Sequence, residues 1–261
     1  MQASIGVLTM TKYSAQLFFL GVLGTAPFLL GGVGRAYADL IIITTDDGSG
    51  ADSRVRGGNP TTNYGTSDLV MAKCADWPQL HRKAYIRFDL SALGELKALD
   101  ATLTLVALEE INGAATFNVF GLNDGATGED WGETTITWDN APANDHTSGS
   151  GVTSDATLLG QFTVPDVSGP VSITFSNPSL ASFLNKDTDD LATLIITRAT
   201  GGNSLNTGCF VAREHATLAP PTLEIVIPEP STLALLGLLG LAVFGRRRRQ
   251  LDRQSWPAPR R

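Results

Sequence analysis

The sequence predicts an all-β domain, a jelly-roll β-sandwich, in the middle of the chain. Apolar residues there alternate with polar ones in short bursts, and clusters of Gly, Asn, Asp and Pro separate the bursts. Both features are typical of short strands joined by turns. The 261 residues include 27 Gly, and only 17% are charged. This composition argues against a coiled coil or a disordered acidic chain.

The alternation places the strands in order along the chain. Only residues 178–186 are predicted to be helical, because Pro178 suits a first helical turn and Leu180, Phe183 and Leu184 share one face. The absence of long helices between strands favours a sandwich over a parallel α/β sheet. The predicted strands cover residues 40–43, 84–88, 101–106, 116–120, 158–164, 171–175, 193–197, 210–213 and 223–227.

The N-terminus has the features of a secretory signal peptide. Residues 17–34 form an apolar run, and Ala36 and Ala38 follow it at the two positions that signal peptidase inspects. Cleavage after Ala38 would define residues 1–38 as the signal peptide. A start at Met10 would give a more usual length, with Lys12 in the charged leading region. An uncleaved membrane anchor is the alternative.

The C-terminus has three parts in a fixed order. Pro228, Glu229 and Pro230 come first, residues 231–245 are apolar, and residues 246–249 are four arginines. As a helix the apolar part is about 22 Å long, shorter than a bilayer core of about 30 Å. We therefore expect a short transmembrane helix that holds the chain at the inner membrane transiently. The arginines place its C-terminal side in the cytoplasm.

Residues 228–249 resemble the PEP-CTERM sorting signal of Gram-negative bacteria. The resemblance implies processing by an exosortase, a membrane-embedded cysteine protease. It also implies delivery to the cell surface or extracellular matrix. Residues 250–261 would then be a basic cytoplasmic tail. An ordinary tail anchor is the alternative.

Residues 39–227 form the predicted sandwich domain, and short motifs recur through it in a recognisable order. They cover residues 55–60, 63–65, 82–91, 131–133, 137–142, 212–214 and 221–223. In this order they resemble the DNRLRE domain, which overlaps a carbohydrate-binding module family related to the disaggregatase repeat. The resemblance implies a jelly-roll β-sandwich that binds anionic, alginate-type polysaccharide through a basic groove without cleaving it. Arg87 matches the family's basic strand residue and Arg213-Glu214 its closing pair, whereas Ser53 stands where Asn is expected.

The charge distribution independently predicts a cationic surface. Residues 39–227 carry ten Lys and Arg against 24 Asp and Glu, an acidic balance that argues against a nucleic-acid partner. Six of those cations nevertheless fall within residues 54–87, against two acids. Arg54 and Arg56 flank Val55 and so share one face of a strand, as do Tyr85 and Arg87.

Guanidinium groups suit bidentate contact with uronate carboxylates, and tyrosine rings can stack on sugars. The alternative is a solvated face whose charges pair with nearby acids. Trp131 and Trp138 are predicted to pack in the core, and Trp77 to be exposed. The predicted ligand-binding residues are Arg54, Arg56, Lys73, Arg82, Lys83, Tyr85, Arg87 and Arg213.

Two further features concern stability. Asp46, Asp47 and Asp52 lie on a glycine-rich loop and offer the oxygen ligands that Ca²⁺ prefers, so they are a candidate structural calcium site. No other cofactor is expected. In an exported protein Cys74 and Cys209 predict a disulfide, with two buried thiols as the alternative.

These features together predict an exported surface or matrix protein whose sandwich binds acidic exopolysaccharide and helps hold a biofilm together. One alternative is an adhesive matrix protein with protein partners. Another is a polysaccharide lyase that uses His81, Lys83, Tyr85 and Arg87. The sequence has no Gly-x-Ser-x-Gly elbow, phosphate-binding loop or zinc signature, so we expect a binding protein and not an enzyme.

Overall fold

The computed structural model describes residues 38–108, 114–166, 169–200 and 207–228. The predicted signal peptide up to residue 37, Glu229 and Pro230, the apolar C-terminal segment and the basic tail lie outside these ranges. None of the helices in the described ranges is long and apolar enough to cross a membrane.

Eleven strands and one α-helix make up the described part of the chain, together with one 3₁₀ turn, Pro78–Leu80. The helix α1 (Pro178–Leu184) begins as predicted, because Pro178 occupies its first turn and the Asn177 side chain accepts a hydrogen bond from the Ser179 N–H. The strands are β1 (Ala38–Thr44), β2 (Ala51–Arg56), β3 (Leu69–Ala72), β4 (Arg82–Asp89), β5 (Asp100–Ala107), β6 (Ala115–Leu122), β7 (Ala156–Val164), β8 (Val171–Ser176), β9 (Leu191–Arg198), β10 (Gly208–Val211) and β11 (Thr222–Pro228).

The strands form two antiparallel sheets that pack face to face. The first has the order β1-β11-β5-β10-β3, with β8 also paired to β5, and the second has the order β2-β4-β9-β6-β7. The main core lies between them, where Ile86 and Leu194 of the second sheet pack with Leu103 and Leu223 of the first. The predicted jelly-roll β-sandwich is thereby confirmed.

The outer face of the second sheet is buried as well. Residues 123–155, which join β6 to β7, fold over this face and form a second apolar cluster with it. Trp131 and Trp138 of this covering segment pack against Tyr85 of β4 and Ile195 of β9. Trp131 and Trp138 are therefore buried packing residues, as predicted. As a consequence, both faces of the central strands β4 and β9 are buried.

Candidate ligand-binding site

One end of the second sheet carries a row of three arginines. Arg56 of β2 lies directly opposite Arg82 of β4. Arg198 of β9 continues the row, because the pairing of Ala84 with Ile196 brings position 198 level with position 82. Residues two apart on a strand share a face, so Arg82 and Arg198 project on the same side as Ala84 and Ile196, towards the space between the sheets.

Two more cations lie beside this row. Lys73 directly follows β3 and forms an isolated β-bridge with Arg82, with both backbone hydrogen bonds at 2.9 Å. Arg54 shares a face with Arg56 and donates from Nη1 to Ser67 Oγ and to the Leu69 carbonyl, each at 2.6 Å. We call Arg54, Arg56, Lys73, Arg82 and Arg198 the cationic end.

Burial and neighbouring cations disfavour the charged forms of Lys73 and Arg82. Burial lowers the pKa of Lys73, and the neighbouring Arg82, Arg198 and Arg56 lower it further. Burial also lowers the pKa of Arg82, with added repulsion from Arg56 and Arg54. Such shifts mean that the surroundings disfavour the charged form.

Three members of the cationic end have no acidic partner in the described ranges. No carboxylate there is within pairing distance of Arg54, Arg56 or Arg82, and the ion pairs that form involve Arg213 instead. The Nε atom of Arg56 is buried and has no hydrogen-bond acceptor among the described residues. Arg54, Arg56 and Arg82 are only half-buried, so solvent can reach them, whereas Lys73 and Arg198 are buried. The arrangement suits an anionic ligand that reaches the end of the sandwich from solvent.

Lys83, Tyr85 and Arg87 do not belong to this surface, contrary to the prediction. They share a face of β4 as expected, but that face is covered by residues 123–155. The Lys83 ammonium donates to the carbonyls of Asp145 at 2.9 Å and Gly151 at 2.7 Å. Burial lowers the pKa of Lys83 to about 8.

Tyr85 and Arg87 hold the same covering segment. The Tyr85 hydroxyl donates to the Pro142 carbonyl at 2.9 Å, and burial raises the pKa of this tyrosine. Arg87 donates to the carbonyls of Ser49 and Trp131, and its guanidinium lies 4.9 Å from the Trp131 ring centroid. These side chains fix the fold of the cover and are not available to a ligand.

Arg213 lies towards the other end of β2. Its backbone N–H donates to Asp52, and Asp52 precedes Arg56 by four residues, about 13 Å along a strand. The Arg213 side chain pairs with Asp46 at 3.4 Å, Glu133 at 3.6 Å and Glu214 at 3.9 Å. The prediction that it joins the other cations is therefore wrong, because acids already surround it.

The three predicted calcium ligands do not converge. Asp46 pairs with Arg213, Asp47 accepts hydrogen bonds in the turn after β1, and Asp52 is buried beneath them. Among the described residues, the groups of carboxylates close enough to share one ion are Asp52 with Glu133 and Glu214, and Asp124 with Asp187 and Asp189.

Cys74 and Cys209 are not joined in a disulfide. Cys209 lies in β10 opposite Met71 of β3, three residues before Cys74, or about 10 Å along a strand. Cys74 instead packs with His81 against Gly149 of the covering segment. The predicted disulfide is wrong, and the alternative of two thiols holds.

A groove at the opposite end of the second sheet has a different character. Its volume is about 610 Å³, and its lining includes the apolar Leu122, Leu158 and Phe183 beside the acidic Asp124 and Asp187. Burial raises the pKa of Asp187 to about 6, and the nearby acids add to the effect. The two ends of this sheet thus carry opposite charge.

Arg198 is the member of the cationic end that sequence reasoning missed. It lies far from the basic segment 54–87, and no quoted motif contains it. The signal was present in β9, where Arg198 follows Leu194 and Ile196 at the two-residue spacing of the core face.

The two packed antiparallel sheets define a β-sandwich domain. Residues 44–206 match carbohydrate-binding module family 96, and the chain belongs to that family. Residues 226–249 match the PEP-CTERM protein-sorting motif, which confirms the sorting signal predicted at 228–249. That motif indicates export to the cell envelope or surface, so the protein is an exported carbohydrate-binding protein.

Solved structures that match the chain include two carbohydrate-binding modules. The CBM36-1 domain of a multidomain xylanase from the hindgut metagenome of Trinervitermes trinervoides matches with 10% identity and a TM-score of 0.30, over 72% of this chain and 96% of that chain. A CBM4 structure matches with 12% identity and a TM-score of 0.25, over 73% and 95%. At these TM-scores the similarity carries no information on the ligand. No curated protein matches the chain.

Proposed function

We propose that the sandwich binds acidic, alginate-type polysaccharide at its cationic end without cleaving it. The observation that carries the proposal is the row of Arg56, Arg82 and Arg198 across three adjacent strands. Guanidinium groups pair with carboxylates in bidentate geometry. Arg56 and Arg82 have no carboxylate partner among the described residues, so they can offer this contact to a ligand.

The spacing of the row favours a polymer over a single sugar. Neighbouring strands lie about 4.8 Å apart, so Arg56 and Arg82 present two accessible cations at roughly that spacing. A polyuronate carries one carboxylate on each sugar, and adjacent sugars can therefore engage both arginines at once. Linked contacts of this kind raise overall affinity well above that of each contact alone.

The placement of the candidate lyase residues supports binding without cleavage. His81, Lys83, Tyr85 and Arg87 are all buried, and residues 123–155 cover the face of β4 from which Lys83, Tyr85 and Arg87 project. A polymer chain at the surface does not reach these side chains. Elimination would produce unsaturated uronates, which absorb at about 235 nm. We therefore expect no growth of this absorbance when the protein is incubated with alginate.

The experiment is alginate binding by the purified protein, measured by calorimetry or affinity electrophoresis. The Arg56→Ala/Arg82→Ala variant removes two charge-assisted contacts, each worth about 1.5–3 kcal/mol, so affinity should fall about 100-fold or more. Binding should also weaken at high salt.

The matched control is Lys97→Ala/Lys186→Ala, which removes the same charge from two exposed lysines beside Asn185. We expect it to bind as the wild type does. Equal losses in both double variants would show that only net charge matters, and full binding by the arginine variant would refute the site. If the wild type binds no acidic polymer but captures matrix proteins, the adhesive alternative holds.

We further propose that an exosortase removes the C-terminal signal at Pro228-Glu229-Pro230, after residues 231–245 have held the chain in the inner membrane. The product would be delivered to the surface or matrix of a Gram-negative cell. The match to the sorting motif supports this proposal. Replacement of Glu229 and Pro230 by alanine should leave unprocessed protein in the membrane fraction, and normal release of that variant would contradict it.

A further inference from the structure

Asp52 is a buried carboxylate that is only half satisfied. Asp52 is 1% exposed to solvent. One oxygen, Oδ2, accepts hydrogen bonds from the Thr45 hydroxyl at 2.8 Å and from the Arg213 N–H at 3.0 Å. The other oxygen, Oδ1, is buried and has no partner in the described part of the chain. An unsatisfied buried carboxylate oxygen is costly.

Two other carboxylates lie close to the Asp52 carboxylate. Glu133 and Glu214 each offer an oxygen, and the three ligand atoms of Asp52, Glu133 and Glu214 all lie within 4.8 Å of one another. Two oxygens bound to one calcium ion at about 2.4 Å can be no more than about 4.8 Å apart. The three carboxylates can therefore reach a single ion.

Arg213 makes only long contacts with two of these carboxylates. Arg213 is 3.6 Å from Glu133 and 3.9 Å from Glu214, longer than good hydrogen bonds, and it also pairs with the exposed Asp46. Three carboxylates thus share one guanidinium, and Asp52 accepts a hydrogen bond from Arg213 only at its backbone N–H. Burial raises the pKa of Asp52 to about 7, and the charges of Glu214 and Glu133 add to the effect. The site therefore has an excess of negative charge.

We propose that Asp52, Glu133 and Glu214 bind a calcium ion. All three ligands are carboxylate oxygens, the donors that this hard cation prefers, and calcium tolerates irregular geometry better than magnesium does. Asp52 comes from β2, Glu133 from the covering segment and Glu214 from the turn after β10. The ion would tie these three parts of the chain together, so its role is structural and independent of the proposed polysaccharide binding.

The experiment compares the purified protein after EDTA treatment with the same protein in calcium chloride. Calorimetry should detect one site. Calcium at about 100 times its Kd should raise Tm by roughly 5–10 °C. Magnesium chloride at the same concentration should give a much smaller rise. The absence of both binding heat and a Tm rise with calcium would overturn the proposal.

Variants locate the ion. Asp52→Asn and Glu214→Gln should each abolish most of the calcium-dependent rise in Tm. Glu214 is half-buried, so the Glu214→Gln protein still reports on the site if Asp52→Asn fails to fold. The control is Asp124→Asn, in the other acidic group, which should retain the full rise. A rise that survives Glu214→Gln but disappears in Asp124→Asn would place the ion elsewhere and refute the assignment.

Discussion

Replacement of Arg82 by glutamine should make the protein more stable and a weaker binder. Arg82 lies opposite Arg56 on one side and level with Arg198 on the other. Like charges directly opposite in an antiparallel pair are destabilising by a few tenths to about 1 kcal/mol each. Glutamine keeps most of the side-chain stem and a hydrogen-bond donor, so the change removes charge and leaves little empty space.

The expected gain is about 1 kcal/mol in the free energy of unfolding. For a domain of this size that corresponds to a Tm about 2–4 °C higher. Calorimetric unfolding at low ionic strength measures this gain in stability. The gain should be smaller in 0.5 M salt, because a Debye length of about 4 Å screens the repulsion between the arginines. Alginate affinity should fall about 10-fold in the same variant, as expected when one charge-assisted contact is lost.

The combination of the two effects is the test. Residues that serve a ligand commonly cost stability, and their removal then stabilises the unliganded protein. If Arg82→Gln instead lowers the free energy of unfolding by 1 kcal/mol or more, Arg82 has an internal anionic partner. The cationic end would then be a structural network, and the reasoning that makes it a ligand site would be refuted. Lys97→Gln, the exposed control, should change neither quantity.

Three further predictions concern Lys83 and Tyr85 on the buried face of β4 and the two cysteines. The pKa of Lys83 is about 8 in the folded protein and about 10.4 unfolded, so the unfolded chain binds more protons between these values. Stability should therefore rise from pH 8 to 10 by up to about 3 kcal/mol, and denaturant titrations of Lys83→Met should lack that rise. Tyr85→Phe should cost about 1 kcal/mol through its lost hydrogen bond and leave alginate affinity unchanged; a large affinity loss would return this residue to the ligand site. Cys74 and Cys209 should both react with a thiol reagent in denaturant without reductant, and an absence of reactive thiols would contradict the structure.

The strands were predictable where apolar residues alternate without interruption. β4 and β5 show this pattern, and the structure places strands there. β2 and β3 were not among the predicted strands. β2 (Ala51–Arg56) has only two apolar residues, and β3 is four residues long. Their pairing depends on partners distant in sequence, Arg82–Asp89 and Gly208–Val211, which local alternation does not reveal.

For the candidate site, the sequence predicted which side chains share a strand face but not which face is accessible. The alternation of side chains along a strand correctly predicted that Arg54 and Arg56 share a face, and that Tyr85 and Arg87 do. This alternation does not show which face of the sheet is covered by another segment. Because residues 123–155 fold over the outer face of the second sheet, the polar side chains of Lys83, Tyr85 and Arg87 are buried. Arg54, Arg56 and Arg82 face inward but are only half-buried, because they lie at the end of the sandwich.

The motifs behind the family resemblance have a structural explanation. Glu133 comes from the motif 131–133, and Arg213 and Glu214 come from the motif 212–214, yet they meet beside Asp52. Sequence reasoning assigned Arg213 to the ligand and Asp52 to a loop with Asp46. Only the folded chain shows that these residues surround one another, because the contact joins positions more than 80 residues apart.

The pairing of the first strand with the last has a consequence for how the protein is held. Ala38 lies opposite Pro228, so the chain enters and leaves the sandwich at one corner. β5 runs from Asp100, beside Val226, to Ala107, beside Phe210, a length of about 23 Å. The arginine row lies near the far limit of that span, since Gly208 contacts Phe117, the neighbour of Arg198. Any attachment after Pro228 thus holds the sandwich by the corner remote from the arginine row.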